Sequence, residues 1–75
     1  MLQYCQEVIF LKGLKQIRKE RRLTQVKVAM DLNISREALS HYENHKREPS
    51  IALLVKMSEY FNVSIDYLIH GKETK

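Results

Sequence analysis

The chain has 75 residues and a net charge of +4, and 44% of its residues are hydrophobic, 29% charged and 8% aromatic. These values are typical of one small globular domain, and the single cysteine, Cys5, excludes an internal disulfide and fits a reducing compartment. No apolar run reaches the roughly 20 residues of a membrane span, and the start lacks the order of a signal peptide, so we expect a cytoplasmic protein that does not enter a membrane.

Residues 1–10 follow neither the helical nor the strand period. The run Val8-Ile9-Phe10 fits either a strand or the first turn of a helix, and Gly13 weakens the helical alternative. We therefore treat residues 1–10 as an N-terminal extension. It either contacts a second copy of the chain or packs on its own domain.

Two amphipathic helices are predicted next. Apolar residues at helical spacing beside a polar face indicate the first helix, and these residues are Leu11, Leu14 and Ile17. Thr24 is a suitable N-cap for the second helix. The apolar side of that helix consists of Val28, Ala29 and Leu32. Asn33 follows, and asparagine tolerates the left-handed backbone that ends a helix and starts a tight turn.

Three serines predict the starts of the remaining helices. Ser35, Ser50 and Ser64 each precede a segment with helical periodicity and can cap its first turn. The buried sides are predicted to consist of Ala38, Leu39 and Tyr42, then of Ile51, Leu54, Met57, Ser58 and Phe61, and finally of Ile65, Leu68 and Ile69. Gly71 ends the last helix. The pattern predicts an all-α domain of five short helices over residues 11–70, followed by a tail at 71–75.

Residues 25–44, QVKVAMDLNISREALSHYEN, have the pattern of a helix-turn-helix. Ala29 is a small residue where two helices can cross closely, and Asn33 suits the turn between them. The second helix of such a motif projects its outer face into the major groove of DNA. The charge agrees, because residues 12–47 carry ten Lys and Arg against four Asp and Glu, whereas each flanking segment carries a net −1.

The stretches IRKERRLTQ (17–25), VA (28–29), LNISR (32–36), LSHYENHKREPS (39–50) and FNVSIDYLI (61–69) closely resemble the Cro/phage-repressor, xenobiotic-response-element type of helix-turn-helix family. The resemblance implies a five-helix, lambda-repressor-like DNA-binding domain. It also implies a homodimer that acts on a pseudo-palindromic operator and places helix 35–44 in the major groove. One departure is His45, where the family usually has glycine. Either Asn44 or His45 must therefore adopt the conformation that ends the recognition helix.

The resemblance also implies roles for individual residues. The candidates for reading base edges are Arg36, Glu37, Ser40 and His41. The candidates for contacts with the DNA backbone are Gln25, Ser35, Asn44, Lys46 and Arg47. Arg18 and Glu43 match a pair that forms a structural salt bridge in this family, so we expect Arg18 to stabilise the fold. Tyr42 lies on the inner stripe, which favours a core position over base stacking.

The near-neutral last two helices are the predicted dimer surface, with Phe61, Ile65, Leu68 and Ile69 as its residues. We expect a repressor, controlled either by concentration-dependent dimerisation or by a separate protein antagonist. The alternative is an antitoxin-like or accessory module that uses the same fold to bind protein. His41 and His45 are four residues apart but lack the H-E-x-x-H arrangement and a third ligand. No catalytic constellation is present, so we expect neither an enzyme nor a metal or cofactor.

Overall fold

The computed structural model describes residues 10–71, which form five α-helices and no strand. The helices are α1 (Lys12–Glu20), α2 (Gln25–Leu32), α3 (Arg36–Glu43), α4 (Ile51–Phe61) and α5 (Ile65–His70). The predicted all-α, five-helix architecture is confirmed. The run Val8-Ile9 and most of the predicted tail lie outside the described residues. Within the described range, no helix is both long enough and apolar enough to cross a membrane.

The predicted caps determine where four of the helices begin. Thr24, Ser35, Ser50 and Ser64 each accept a hydrogen bond from the backbone N–H three residues later, at 2.9 to 3.1 Å. Each bond satisfies an N–H that has no partner within its own helix. The asparagine that follows α2 or α4 has left-handed backbone, with φ of 62° and 57°. The local signals that the sequence offered for these boundaries are thus confirmed.

One hydrophobic core receives side chains from all five helices. Its buried members are Leu11, Leu14, Ile17, Val28, Ala29, Leu32, Leu39, Leu54, Met57, Phe61 and Leu68. Ile51 is not among them. It is the first residue of α4, and the buried residues of that helix begin one turn later, at Leu54. Ile51 is 77% exposed, so the prediction that it lies on the buried side is wrong.

The core also corrects the predicted dimer surface. Phe61 and Leu68 have no exposed surface, because both point into the space that the other helices enclose. Neither side chain is available to a second copy of the chain. Ile65 and Ile69 are partly exposed, so they remain the candidates on α5.

α1 and α5 approach each other closely at Gly13. A Cβ built on Gly13 would overlap the backbone carbonyl of Tyr67. Gly13 is buried and lies within α1, although glycine is a poor helix former. The absence of a side chain at this position therefore allows the two helices to pack together.

Candidate nucleic-acid interface

The turn between α2 and α3 fixes the orientation of α3 relative to α2. Asn33 is left-handed, and the backbone N–H of Ile34 donates to the carbonyl of Ala29 at 2.9 Å. This six-to-one bond closes the end of α2 as a Schellman motif. Ala29 is buried, and α2 packs against α3. The two helices thus form the helix-turn-helix that the sequence indicates.

The outer face of α3 is open to solvent in the described part of the chain. Arg36 and Glu37 are exposed, and Ser40 and His41 are partly exposed. The inner side carries Leu39, which has no exposed surface. The four residues predicted to read bases therefore share the accessible side of one helix. Their contact with bases stays a prediction.

Arg18 and Glu43 form a buried ion pair that joins α1 to α3. Arg18 Nε donates to Glu43 Oε2 at 2.6 Å, and Arg18 Nη2 donates to Glu43 Oε1 at 3.1 Å. The remaining terminal nitrogen, Nη1, donates to the carbonyl of Leu23 at 2.8 Å. Two parallel bonds to one carboxylate fix both side chains in position. The structure therefore contains the salt bridge that the resemblance implies.

Gln25 extends this ion pair to the start of α3. Its Nε2 donates to Glu43 Oε1 at 3.1 Å, and its Oε1 accepts from Arg36 Nη1 at 3.1 Å. The side-chain amide, which we predicted to contact phosphate, thus connects the buried carboxylate to an exposed guanidinium. This link holds Arg36 at the first turn of α3. Guanidinium has five N–H donors, so one bond to Gln25 leaves donors for a base.

His45 ends α3 in the left-handed conformation. Its φ is 62°, whereas the φ of Asn44 is −100°. The backbone N–H of Lys46 donates to the carbonyl of His41 at 2.8 Å, which closes a second Schellman motif. Of the two residues that the departure from the family pattern left open, His45 takes the strained position. The Asn44 side chain instead donates to the carbonyl of Ser40 at 2.9 Å and to its Oγ at 3.2 Å.

The two cations after α3 are exposed. The guanidinium carbon of Arg47 lies 6.0 Å from the ring centroid of Tyr42, which is within cation–π range. Tyr42 itself is half-buried against the core, as its position on the inner stripe predicts. Lys46 and Arg47 follow the C-terminal end of α3, and the partly exposed His41 lies in the last turn of that helix.

Several polar contacts between elements were not evident in the sequence. The guanidinium of Arg21 donates to the carbonyl of Phe61 at 2.8 Å, and the ammonium of Lys56 donates to the carbonyl of Leu32 at 3.0 Å. Both bonds satisfy carbonyls at the ends of helices. Periodicity could not have found them, because they join residues 24 and 40 positions apart.

Tyr60 and Asp31 form a further link, between α4 and α2. The Tyr60 hydroxyl donates to Asp31 Oδ2 at 2.6 Å, and this bond is the main reason that the pKa of Asp31 is lowered. Burial, together with the same carboxylate, raises the pKa of Tyr60 to about 12. Lys27 pairs with Asp31 at 3.3 Å on the same helix. These side chains connect α2 to α4 and are not among the residues predicted to read bases.

A helix-turn-helix family model matches residues 14–68. The chain is 39% identical over 67 residues to the uncharacterized HTH-type transcriptional regulator YqaE of Bacillus subtilis, covering 89% of this chain and 58% of that protein. It is 44% identical over 62 residues to the HTH-type transcriptional regulator ImmR of the same organism, covering 83% of this chain and 48% of ImmR. The chain thus spans about half the length of these relatives.

A solved structure has the same fold. The P22 c2 repressor in complex with a synthetic operator superposes with a TM-score of 0.71 at 27% identity, covering 79% of this chain and 89% of the repressor chain. The superposition extends over most of both chains, so the likeness concerns the whole domain and is not confined to a single helix pair.

Proposed function

This chain belongs to the helix-turn-helix family, and on that premise we propose that it is a transcriptional repressor that binds double-stranded DNA. The observation that carries the proposal is the accessible outer face of α3, where Arg36 and His41 are followed by Lys46 and Arg47. The major groove accepts a projecting helix, and the cations at the two ends of this helix suit the phosphates on either side of the groove. The ion pair and Gln25 connect that helix to α1 and α2 through side-chain hydrogen bonds.

Arg36 is the leading candidate for base recognition. Its guanidinium can donate two hydrogen bonds to O6 and N7 of guanine, and the bond from Arg36 to Gln25 limits where the guanidinium can go. Glu37 can accept from the amino group of cytosine or can pair with Arg36. Ser40 and His41 lie one turn further along the same face.

Contacts with the phosphates are assigned to residues at the two ends of α3 and to the start of α2. Lys46 and Arg47 carry charge and reach at the C-terminal end of α3, and phosphate contacts need little more than that. Ser35 and Asn44 flank the same helix, and Gln25 opens α2 near its free N–H groups. These residues would position the domain along the backbone, while α3 reads the sequence.

The repressor is proposed to act as a homodimer on a pseudo-palindromic operator. Its two copies of α3 would enter successive major grooves about 34 Å apart. Ile65 and Ile69 are the proposed contacts on α5. α4 packs against α5, and on α4 the exposed Ile51 and Val55 lie one turn apart. All four residues are apolar and belong to the near-neutral part of the chain, where two copies would repel each other little.

Selection of bound fragments from a random duplex library, at a stated salt concentration, tests the proposal. We expect an enriched motif with two inverted half-sites about one helical turn apart, centre to centre. Enrichment without a motif would indicate binding to phosphates alone. No retained DNA would contradict the proposed function and favour the alternative of a protein-binding module, which uses the same fold.

A further inference from the structure

The ring of Phe10 stacks on the imidazole ring of His45. The two ring centroids are 4.8 Å apart, and the ring planes are inclined by 13°. Stacked rings attract at this separation. Phe10 lies just before α1 and is 40% exposed. The contact therefore connects the segment ahead of α1 directly to the turn that follows α3.

His45 is the residue on which the shape of that turn depends. Its φ of 62° is a conformation that glycine adopts easily and that a residue with a Cβ disfavours. The bond from Lys46 N–H to the carbonyl of His41 forms only if His45 stays left-handed. A change of backbone conformation at His45 would redirect Lys46 and Arg47, which leave the helix immediately afterwards.

We propose that Phe10 is a positioning residue for the DNA-backbone contact made by residues 44–47. Its ring holds His45 in place, and His45 sets the direction of Lys46 and Arg47. This inference rests on the proposed function, because those two cations are the phosphate contacts assigned there. A turn that is ordered before DNA arrives does not lose chain entropy on binding. The stack thus compensates for the missing glycine.

Binding of a random-sequence DNA duplex tests this role, because phosphate contacts act on every sequence. Phe10→Leu keeps an apolar side chain but removes the ring, and we expect it to weaken binding about 3- to 10-fold. Phe10→Tyr keeps the ring and should bind like the wild type. Met30→Ala truncates another exposed apolar residue, on the outer side of α2, and serves as the matched control. Equal affinities for Phe10→Leu and the wild type would overturn the inference.

A double-mutant cycle with His45→Gly separates positioning from a general effect on stability. Glycine adopts the left-handed conformation without strain and offers no ring. Phe10→Leu should therefore cost no further affinity in the His45→Gly background. A full further loss there would show that Phe10 does not act through His45, and would overturn the inference.

Proton NMR of the His45 ring gives a readout independent of DNA. The Phe10 ring current should displace the His45 ring signals in the wild type and in Phe10→Tyr, but not in Phe10→Leu. Unchanged signals in Phe10→Leu would contradict the stack itself. Wild-type protein that retains no duplex would overturn the proposed function together with this inference, whereas a wild type that binds with Phe10→Leu unchanged overturns only the inference.

Discussion

Arg36 and Lys46 lie at opposite ends of α3, and their substitutions should have different consequences. Arg36→Ala is expected to cost about 1–3 kcal/mol on the selected operator and to relax the preference at one base position. Lys46→Ala should weaken binding to operator and random duplexes alike, and should make the salt dependence shallower by about 1 unit of slope. Anisotropy titrations over a range of salt measure both effects. Equal losses on both duplexes for both variants would contradict base reading by Arg36.

For single residues, the sequence predicts effects on the backbone a few positions away along the chain. The four hydroxyl caps were predictable because a short polar side chain bonds to backbone three residues away, and Asn33 was predictable because asparagine tolerates left-handed backbone. Periodicity correctly placed Phe61 and Leu68 on the buried sides of their helices, but both were also assigned to the dimer surface, which a fully buried side chain cannot reach. Which apolar residues of a helix stay accessible to a partner depends on where the other helices lie, and periodicity does not contain that information. The sequence limited the left-handed residue after α3 to Asn44 or His45. It did not indicate that Phe10 stacks on His45, because the two residues are 35 positions apart.

The link between α2 and α4 depends on a proton. Because the pKa of Tyr60 is raised from 10.0 to about 12, the folded state keeps a proton that the unfolded chain has released in that range. The link therefore stabilises the fold fully below pH 10 and is lost as the pH rises towards 12. The lowered pKa of Asp31, from its usual 3.8, acts at the other end. The contribution of Asp31 to stability is fully present above its usual pKa of 3.8, and it is lost as the pH falls through the lowered pKa of the folded state.

Tyr60→Phe tests this link, because phenylalanine fills the same space without the hydroxyl. We expect the wild type to melt at a higher temperature than Tyr60→Phe at neutral pH. The difference should narrow above pH 10 and also in acid. Thermal unfolding followed by circular dichroism across this range measures it. A difference that stays constant up to pH 12 would show that the hydrogen bond does not couple to folding.

The contact between α1 and α5 sets two effects of opposite sign against each other at Gly13. Alanine would favour the helix by about 1 kcal/mol. Its Cβ would, however, overlap the backbone of Tyr67, which cannot rotate away as a side chain can. Overpacking of this kind costs about 1–3 kcal/mol, so we expect Gly13→Ala to lower the melting temperature by several degrees. Lys15→Ala, on the exposed side of the same helix, is the control. A higher melting temperature for Gly13→Ala would mean that α5 yields easily.

Across the whole molecule, the proposed DNA contacts and the proposed dimer contacts lie on different helices. The base-contact candidates lie on α3 and the cations Lys46 and Arg47 follow it, and α3 is joined to α1 and α2 through Glu43 and Gln25. The exposed apolar residues of α4 and α5 lie in the segment that carries a net −1. Charge patterning along the sequence suggests one face for a polyanion and another for a different contact, and this stays a prediction. Charge patterning could not predict the hydrogen-bonded series Arg18–Glu43–Gln25–Arg36. These four residues come from three helices and meet only when the helices pack.

This division predicts that dimer formation and DNA contact can be weakened separately. Ile69→Asp places a charge on the proposed α5 surface at a partly exposed side chain that also packs against the core, so circular dichroism must first show that the variant is folded. A charge at the fully buried Leu68 would unfold the domain. We expect Ile69→Asp to lower the dimer fraction in sedimentation experiments. It should also weaken binding to a two-half-site operator much more than to a single half-site, because the linked second contact is lost. Met30→Asp introduces the same charge on α2 and controls for repulsion from DNA. An unchanged sedimentation mass for Ile69→Asp would remove this surface from the proposed interface.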